Sequence, residues 1–141
     1  MHMALEKKYF TGVVWQDFQH QELMTLFTKL KKARADKQDK DAFRFAIAFL
    51  SMYVNHHFKL EEEYMDIYYY PEKESHKKEH KGFIKTLKEF RLKHKDYSEE
   101  AIDELLKKVN QWILNHIFGD DKKLGLHILA AEKEKLGDPT P

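Results

Sequence analysis

Two pairs of side chains of metal-binding types, on either side of a proline, limit the possible folds of this chain more than any other feature. His57 is followed four residues later by Glu61. His76 is followed four residues later by His80, and Pro71 lies between the two pairs. A step of four turns a side chain through about 400° in an α-helix, so both members of a pair project from one face. Because proline lacks an N–H and is excluded from helix interiors, Pro71 indicates a turn. The stretch therefore predicts two adjoining antiparallel helices that present their ligand pairs to a common metal site.

Composition restricts the chemistry of such a site. The chain has 141 residues and no cysteine, which predicts a single domain over residues 1–141 with one core. Disulfides, thiolate zinc sites and iron–sulfur clusters are excluded because each of them needs cysteine. Any bound metal must therefore be held by nitrogen and oxygen atoms.

Charge and hydropathy indicate which partners to expect. Lys plus Arg total 25 and Asp plus Glu total 24, so no strong electrostatic field favours nucleic acid or an anionic membrane surface. No apolar run approaches the roughly 20 residues of a membrane span, and the N-terminus lacks the apolar core of a signal peptide. We therefore expect a cytoplasmic protein that binds neither nucleic acid nor membrane.

The fold class follows from helix-forming composition and hydrophobic periodicity. Only five glycines and three prolines occur, and long stretches repeat apolar residues at steps of three and four. We predict an extended arm over residues 1–16, helices at about 18–35, 41–69, 72–95 and 99–118, and a helical segment at 122–137. Asp17 is the predicted N-cap of the first helix, and Ser98 that of the fourth. Four such helices with short connections predict an all-α, up-down-up-down bundle.

That topology brings further polar residues to the two ligand pairs. The inward face of the first helix carries His20 near its start, and that of the fourth carries His116 near its end. In an alternating bundle, these positions lie at the same end as the end of the second helix and the start of the third. Buried polar side chains are costly unless something binds them. The topology therefore predicts one metal site built from all four helices.

A carboxylate after His116 is a further candidate ligand, but spacing leaves its identity open. Asp120 lies four residues after His116, on the same face of a regular α-helix. Asp121 lies five residues after it, a step of about 500° that points roughly 140° away. A π-type bulge or a local break near Gly119 would turn Asp121 back toward the core. Both aspartates remain candidates on geometry alone.

These residues together match a known family pattern. The pattern reads D-x-x-H, then H-F-x-x-E-E-x-x-M, then Y-P followed by H-x-x-x-H, then W-[LI]-x-x-H-I-x-x-x-D. In this chain its parts are Asp17–His20, His57–Met65, Tyr70–Pro71 with His76–His80, and Trp112–Asp121. From about Gly12 to Gly125 the chain resembles the hemerythrins, in particular the single-domain bacterial ones.

The resemblance implies a non-haem di-iron centre, in which two iron ions change between Fe2+ and Fe3+ and share an oxo or hydroxo bridge. It implies that Glu61 and Asp121 bridge both irons, and so selects Asp121 over Asp120. It also implies that dioxygen binds at the iron with fewer histidines. The implied terminal ligands are His20 and His57 on that iron, and His76, His80 and His116 on the other.

The resemblance also implies a function. Reversible binding of dioxygen, for transport, storage or delivery, would make the protein a carrier and not an enzyme. A dry pocket supports reversibility because water promotes loss of the bound oxygen. The positions that line the pocket in the family are occupied by Leu23, Phe58, Trp112, Ile113 and Ile117. We expect a monomer or a weak homo-oligomer, and the sequence specifies no protein partner.

Other functions of such bundles are less compatible with the motifs. Di-iron enzymes of the ferritin kind use Glu-x-x-His pairs, and no histidine here has a glutamate three residues before it. The H-E-x-x-H motif of zinc hydrolases is also absent. Sensing of oxygen, nitric oxide or redox state, or iron handling, uses the same di-iron site and is the alternative to oxygen carriage.

Overall fold

Helices account for most of the part of the chain that the structure describes. The computed structural model describes residues 10–37 and 40–137, and no strand occurs among them. Residues 1–9 of the predicted arm lie outside the described residues. The helices are α1 (Val14–Ala35), α2 (Lys40–Ile67), α3 (Lys73–Lys93), α4 (Glu99–Trp112) and α5 (Lys122–Gly137). A π-helical segment, Ile113–Asp121, joins α4 to α5.

The first four helices form a bundle around one apolar core. Helix α1 packs against α2 and α4, and α2 packs against α3. Phe83 of α3 stacks on Trp112 of α4 with ring centroids 4.2 Å apart, which closes the ring of four helices. The prediction of an all-α four-helix bundle is confirmed. Its most deeply buried apolar side chains include Leu23, Leu30, Leu50, Phe90, Ile102 and Leu105.

The start of α1 differs from the prediction. The helix begins at Val14 and not at residue 18, so residues 14–16 belong to its first turn and not to the arm. Asp17 is not the N-cap, because its carboxylate reaches back to accept hydrogen bonds from the backbone N–H groups of Thr11 (2.9 Å) and Gly12 (3.1 Å). Gly12 has a φ of +89°, a conformation that glycine adopts without strain. The bend therefore lies before Val14.

The turn between α2 and α3 sets the relative height of the two ligand pairs. Helix α2 ends at Ile67, two residues before the predicted end, and α3 begins at Lys73. Tyr69 has a φ of +51°, and the N–H of Tyr70 donates to the carbonyl of Met65 at 2.9 Å. A left-handed residue followed by this long hydrogen bond is the Schellman ending of a helix. Pro71 then directs the chain into α3.

The fourth helix starts where predicted but does not stop where predicted. The hydroxyl of Ser98 accepts a hydrogen bond from the N–H of Ala101 at 3.0 Å, which confirms Ser98 as an N-cap. The fourth helix does not end near residue 118, because the chain stays helical from Glu99 to Gly137, and of the π-type bulge and the local break considered near Gly119 the structure has the π-helical form. The π-helical segment accommodates Gly119 by widening the helix, without interrupting it.

Helix α5 covers the end of the bundle where α2 finishes. It builds a small second core with the arm and the α2–α3 turn, and His127 bonds the carbonyl of Tyr68 at 2.8 Å. Among the described residues, no helix is long and apolar enough to cross a membrane. The second core consists of Val13, Met65, Tyr70, Leu124 and Ile128.

A glycine in α5 allows the arm and the start of α1 to pack closely against that helix. A methyl group added at Gly125 would overlap the side chains of Thr11 and Gln16, whereas one added at Gly82 would meet nothing within 4 Å. We expect Gly125→Ala to destabilise the protein by roughly 1–3 kcal/mol through overpacking. Gly82→Ala in α3 should instead stabilise it by about 0.5–1 kcal/mol, because alanine favours helix interiors. Urea denaturation of the two variants checks this, and a shift of both in the same direction would contradict the described contact.

Candidate metal centre

The seven predicted ligands meet at one end of the bundle. Helix α1 supplies one, α2 and α3 supply two each, and the π-helical segment supplies the last two. Each is at most 2 % exposed. They form two overlapping groups, and within each group the candidate ligand atoms lie within 4.8 Å of one another. One group is Glu61, His76, His80, His116 and Asp121, and the other is His20, His57, Glu61 and Asp121.

The two carboxylate oxygens of Glu61 face different groups. Its Oε1 lies 3.0 Å from Nε2 of His80 and 3.2 Å from Nε2 of His76. Its Oε2 lies 3.2 Å from Nε2 of His57. One carboxylate oxygen therefore faces the three-histidine half of the site, and the other faces the two-histidine half.

Asp121 divides its oxygens in the same way. Its Oδ1 lies 2.8 Å from Nε2 of His116 and 2.9 Å from Nε2 of His76. Its Oδ2 lies 2.9 Å from Nε2 of His20 and 3.6 Å from Nε2 of His57. Both buried carboxylates thus span the two halves, with one oxygen for each.

The π-helical segment decides which aspartate enters the site. Its i→i+5 repeat brings residues five positions apart onto one face, so Asp121 shares the inward face of His116. Asp121 is fully buried. The side chain of Asp120 is 36 % exposed, and its carboxylate lies 3.8 Å from Nδ1 of His116, the ring nitrogen that faces away from the site. The structure therefore brings Asp121, and not Asp120, into the cluster.

Several atoms of the cluster lie close to possible partners without forming hydrogen bonds with them. His57 Nε2, His116 Nε2 and Asp121 Oδ1 make no hydrogen bond, although they lie between 2.8 and 3.6 Å from oppositely charged or polar atoms. Neighbouring ligand atoms around a cation bound at about 2.1 Å are themselves about 3 Å apart. The unpaired atoms and the spacing both fit a pair of bound metal ions.

Charge balance leads to the same conclusion. Burial raises the pKa of Asp121 and of Glu61, but the surrounding imidazoles outweigh burial and hold both pKa values well below the usual range. Burial lowers the pKa of both His57 and His76, but the effect of the two carboxylates is larger. The net result raises the pKa of His57 to about 9 and that of His76 to about 10. In the metal-free protein, protons on imidazole compensate the buried carboxylates. Bound cations would take over that compensation.

Outer hydrogen bonds orient the ligand rings. Nδ1 of His57 donates to Oε1 of Gln19, and Nδ1 of His80 donates to Oε2 of Glu62 at 2.9 Å. A bond at Nδ1 fixes the ring so that Nε2 faces the metal. Gln19 could not be identified from the sequence, because the residue before a predicted ligand on a helix points away from it. Only the fold shows which ring Gln19 meets.

Aromatic rings stack on three of the imidazoles that are candidate ligands. Phe58 lies on His80 with centroids 3.9 Å apart, and Trp112 lies on His116 at 3.8 Å. Tyr53 stacks on His57 at 4.7 Å. Tyr53 was not predicted, although its position four residues before His57 is a detectable signal. Of the predicted pocket residues, Leu23, Phe58, Ile113 and Ile117 are buried and Trp112 is half-buried.

Gln16 is a second residue that the sequence analysis did not identify. It is fully buried, and its Nε2 donates to Oε2 of Glu61 at 2.9 Å and to the backbone carbonyl of Asp121 at 3.0 Å. Because the arm was predicted to extend to residue 16, Gln16 was not placed on a helix. Once α1 starts at Val14, Gln16 lies one turn before His20 and on the same face.

Comparison with known proteins agrees with the geometry. The sequence model of the family described as "Hemerythrin HHE cation binding domain" matches residues 11–126. The bacteriohemerythrin of Stenotrophomonas maltophilia is 34% identical over 111 residues, which are 79% of this chain and 71% of that protein. The bacteriohemerythrin of Clostridium acetobutylicum is 34% identical over 118 residues, covering 79% of this chain and 90% of that protein. The myohemerythrin of Theromyzon tessulatum is 36% identical over 94 residues, covering 67% of this chain and 72% of that protein.

The two aspartates provide a matched pair for testing the site. Asp121→Asn removes a fully buried anion that reaches both groups, so we expect the variant to retain less than one iron per chain. Asp120→Asn changes a half-exposed side chain and should retain two. Iron analysis after anaerobic reconstitution and desalting measures both. Loss of iron from the Asp120 variant, with retention in the Asp121 variant, would contradict the described geometry.

Proposed function

Because this chain belongs to the hemerythrin family, we propose that its seven-residue cluster holds two iron ions and binds dioxygen reversibly, for transport, storage or delivery. The main observation behind the proposal is that the two oxygens of each buried carboxylate face different halves of the site. Glu61 and Asp121 each offer one oxygen to the three-histidine half and one to the two-histidine half. Such an arrangement holds two cations side by side.

The donor set suits iron. Imidazole nitrogen and carboxylate oxygen are ligands that iron accepts, and no thiolate is available to select a softer metal. When bound, the two irons supply the two electrons that dioxygen takes up on binding and returns on release. The residues of this chain have to hold both ions, leave one coordination position open and exclude water.

An unequal number of donors indicates where dioxygen enters. The three-histidine half has five donor atoms, from three imidazoles and one oxygen of each shared carboxylate. The two-histidine half, which contains His20 and His57, has four. The half with fewer donors keeps room for an outside ligand. We therefore assign dioxygen binding to the side of His20 and His57.

The surroundings favour reversible binding over oxygen cleavage. Among the described residues, Glu61 and Asp121 are the only buried carboxylates, and both have pKa values well below the usual range. No third buried acid is present in this part of the chain to donate a proton to bound dioxygen. The proposed pocket residues Leu23, Phe58, Trp112, Ile113 and Ile117 add apolar or aromatic surface that excludes water.

Reversible binding can be tested directly. We expect anaerobically reconstituted protein to hold two irons per chain and to develop, in oxygen, a visible absorption band that disappears under argon. Resonance Raman spectroscopy in that band should show an oxygen–oxygen vibration that shifts to lower frequency with the heavier oxygen isotope. An iron content below two, or irreversible bleaching without the isotope-sensitive vibration, would overturn the proposal.

Adjacent histidines allow the two halves to be separated. His57→Ala removes one of the two imidazoles on the proposed dioxygen side, so we expect about one iron to be lost per chain and dioxygen binding to be abolished. His56→Ala changes an exposed side chain and should keep both irons and the oxygen band. Iron analysis and absorption spectra measure the effects. Equal loss of both irons from the His57 variant would show instead that the two halves assemble as one unit.

A further inference from the structure

Gln16 is a neutral side chain that contacts both of the shared carboxylate residues. It lies in the first turn of α1 and is fully buried. Its Nε2 donates to Oε2 of Glu61 at 2.9 Å and to the backbone carbonyl of Asp121 at 3.0 Å. A long polar side chain is rarely buried unless its hydrogen bonds are needed. The two hydrogen bonds of Gln16 must therefore serve the site.

The orientation of the Gln16 amide follows from its partners. Both partner atoms are oxygens that only accept hydrogen bonds, so the nitrogen of the amide must face them. The other end, Oε1, has no hydrogen-bond partner and lies where a side chain at position 125 would have to be. Leaving Oε1 unpaired is costly, so the two bonds at Nε2 are what favour this arrangement.

The bond to Glu61 is specific for one half of the site. Oε2 is the oxygen that faces His57, on the side where dioxygen is proposed to bind. A hydrogen bond to a ligand oxygen withdraws electron density from it and weakens its donation to the metal. The bond is strongest when the oxygen carries most negative charge, which is when the neighbouring cation has the lower charge. The N–H of Gln16 therefore favours the reduced metal over the oxidised one.

The second hydrogen bond of Gln16 holds the backbone of Asp121 in place. Asp121 is the last residue of the π-helical segment, and its backbone carbonyl accepts from Gln16 at 3.0 Å. The same amide nitrogen thereby fixes the backbone of one shared carboxylate residue and the side chain of the other. Movement of either relative to α1 would break one of the two bonds.

We propose that Gln16 is a positioning residue that joins Glu61 to Asp121 and, through its N–H on Glu61 Oε2, stabilises the reduced form of the site that binds dioxygen. The inference rests on the proposed function, since it takes the two-histidine half to be the side that meets dioxygen. The inference makes Gln16 a determinant of how fast the reduced protein is oxidised in the presence of oxygen. A side chain of this kind sets redox behaviour without being a metal ligand.

The test compares variants that remove the donor with one that loosens the arm. Gln16→Met keeps the length of the side chain but has no N–H. Thr11→Val removes the hydroxyl that donates to Asp17 and accepts from the N–H of Val13, which weakens the same region without touching Glu61. Iron content, urea denaturation and the midpoint potential from redox titration are measured for each variant and for the unaltered protein.

We expect Gln16→Met to retain two irons. At a fixed potential, its ratio of reduced to oxidised protein should be about tenfold lower than in the unaltered protein. This change equals a midpoint potential about 59 mV lower for a one-electron couple. Oxidation of its reduced form in air should be correspondingly faster. Thr11→Val should lose stability to urea while keeping the midpoint of the unaltered protein. An unchanged midpoint in Gln16→Met, or an equal shift in both variants, would overturn the inference.

A second variant decides the case if Gln16→Met binds fewer than two irons. In Gln16→Glu the introduced carboxyl donates to Glu61 only while it is protonated, so its midpoint should fall steeply as the pH rises through its titration. The unaltered protein should lack that step. A midpoint with the same pH profile in both would overturn the inference. Failure of the unaltered protein to hold two irons or to bind dioxygen would instead count against the proposed function.

Discussion

Two carboxylates that are each shared between two sets of imidazoles are the constraint on which the rest of the structure depends. Glu61 and Asp121 are fully buried, and burying two anions side by side is unfavourable unless positive charge lies between them. Five imidazoles from four parts of the bundle surround them. Two irregular features near this end of the fold, the turn at Tyr69 and the π-helical segment, position members of this cluster. The proposed di-iron centre accounts for the cost, because two cations held between the halves would neutralise both anions at once.

Departures from regular helix geometry occur where the site needs them. The left-handed residue Tyr69 ends α2 in time for Pro71 to set α3 beside it, which brings the two ligand pairs level. The π-helical segment turns Asp121 toward the core without ending the helix. Within α5, Gly125 lets the start of α1 approach closely enough for Gln16 to reach both carboxylate residues. A regular α-helix at Tyr69 or between Ile113 and Asp121 would misplace a predicted ligand, and a side chain at position 125 would displace Gln16.

Sequence reasoning was most successful where a side chain's direction depends only on its own helix. The i,i+4 pairs from His57 to His80 and the four-helix topology could be predicted because regular helices fix those directions. The choice of Asp121 needed the family resemblance, since a π-helical segment has no strong local signal. The start of α1 was misjudged because Asp17 bonds backward to Thr11 and Gly12. Gln16 and Gln19 were missed for a related reason: their partners belong to other helices, and only the assembled bundle shows them.

The central claim is that Glu61 and Asp121 are shared by two metal ions, and anomalous X-ray scattering from crystals of the iron-loaded protein tests it most directly. Data collected on both sides of the iron absorption edge locate each iron independently of the ligand positions. The account predicts two anomalous peaks, one among His76, His80 and His116 and one beside His20 and His57. Each carboxylate should contribute one oxygen to each peak. A single peak, or two peaks that do not share both carboxylates, would contradict it.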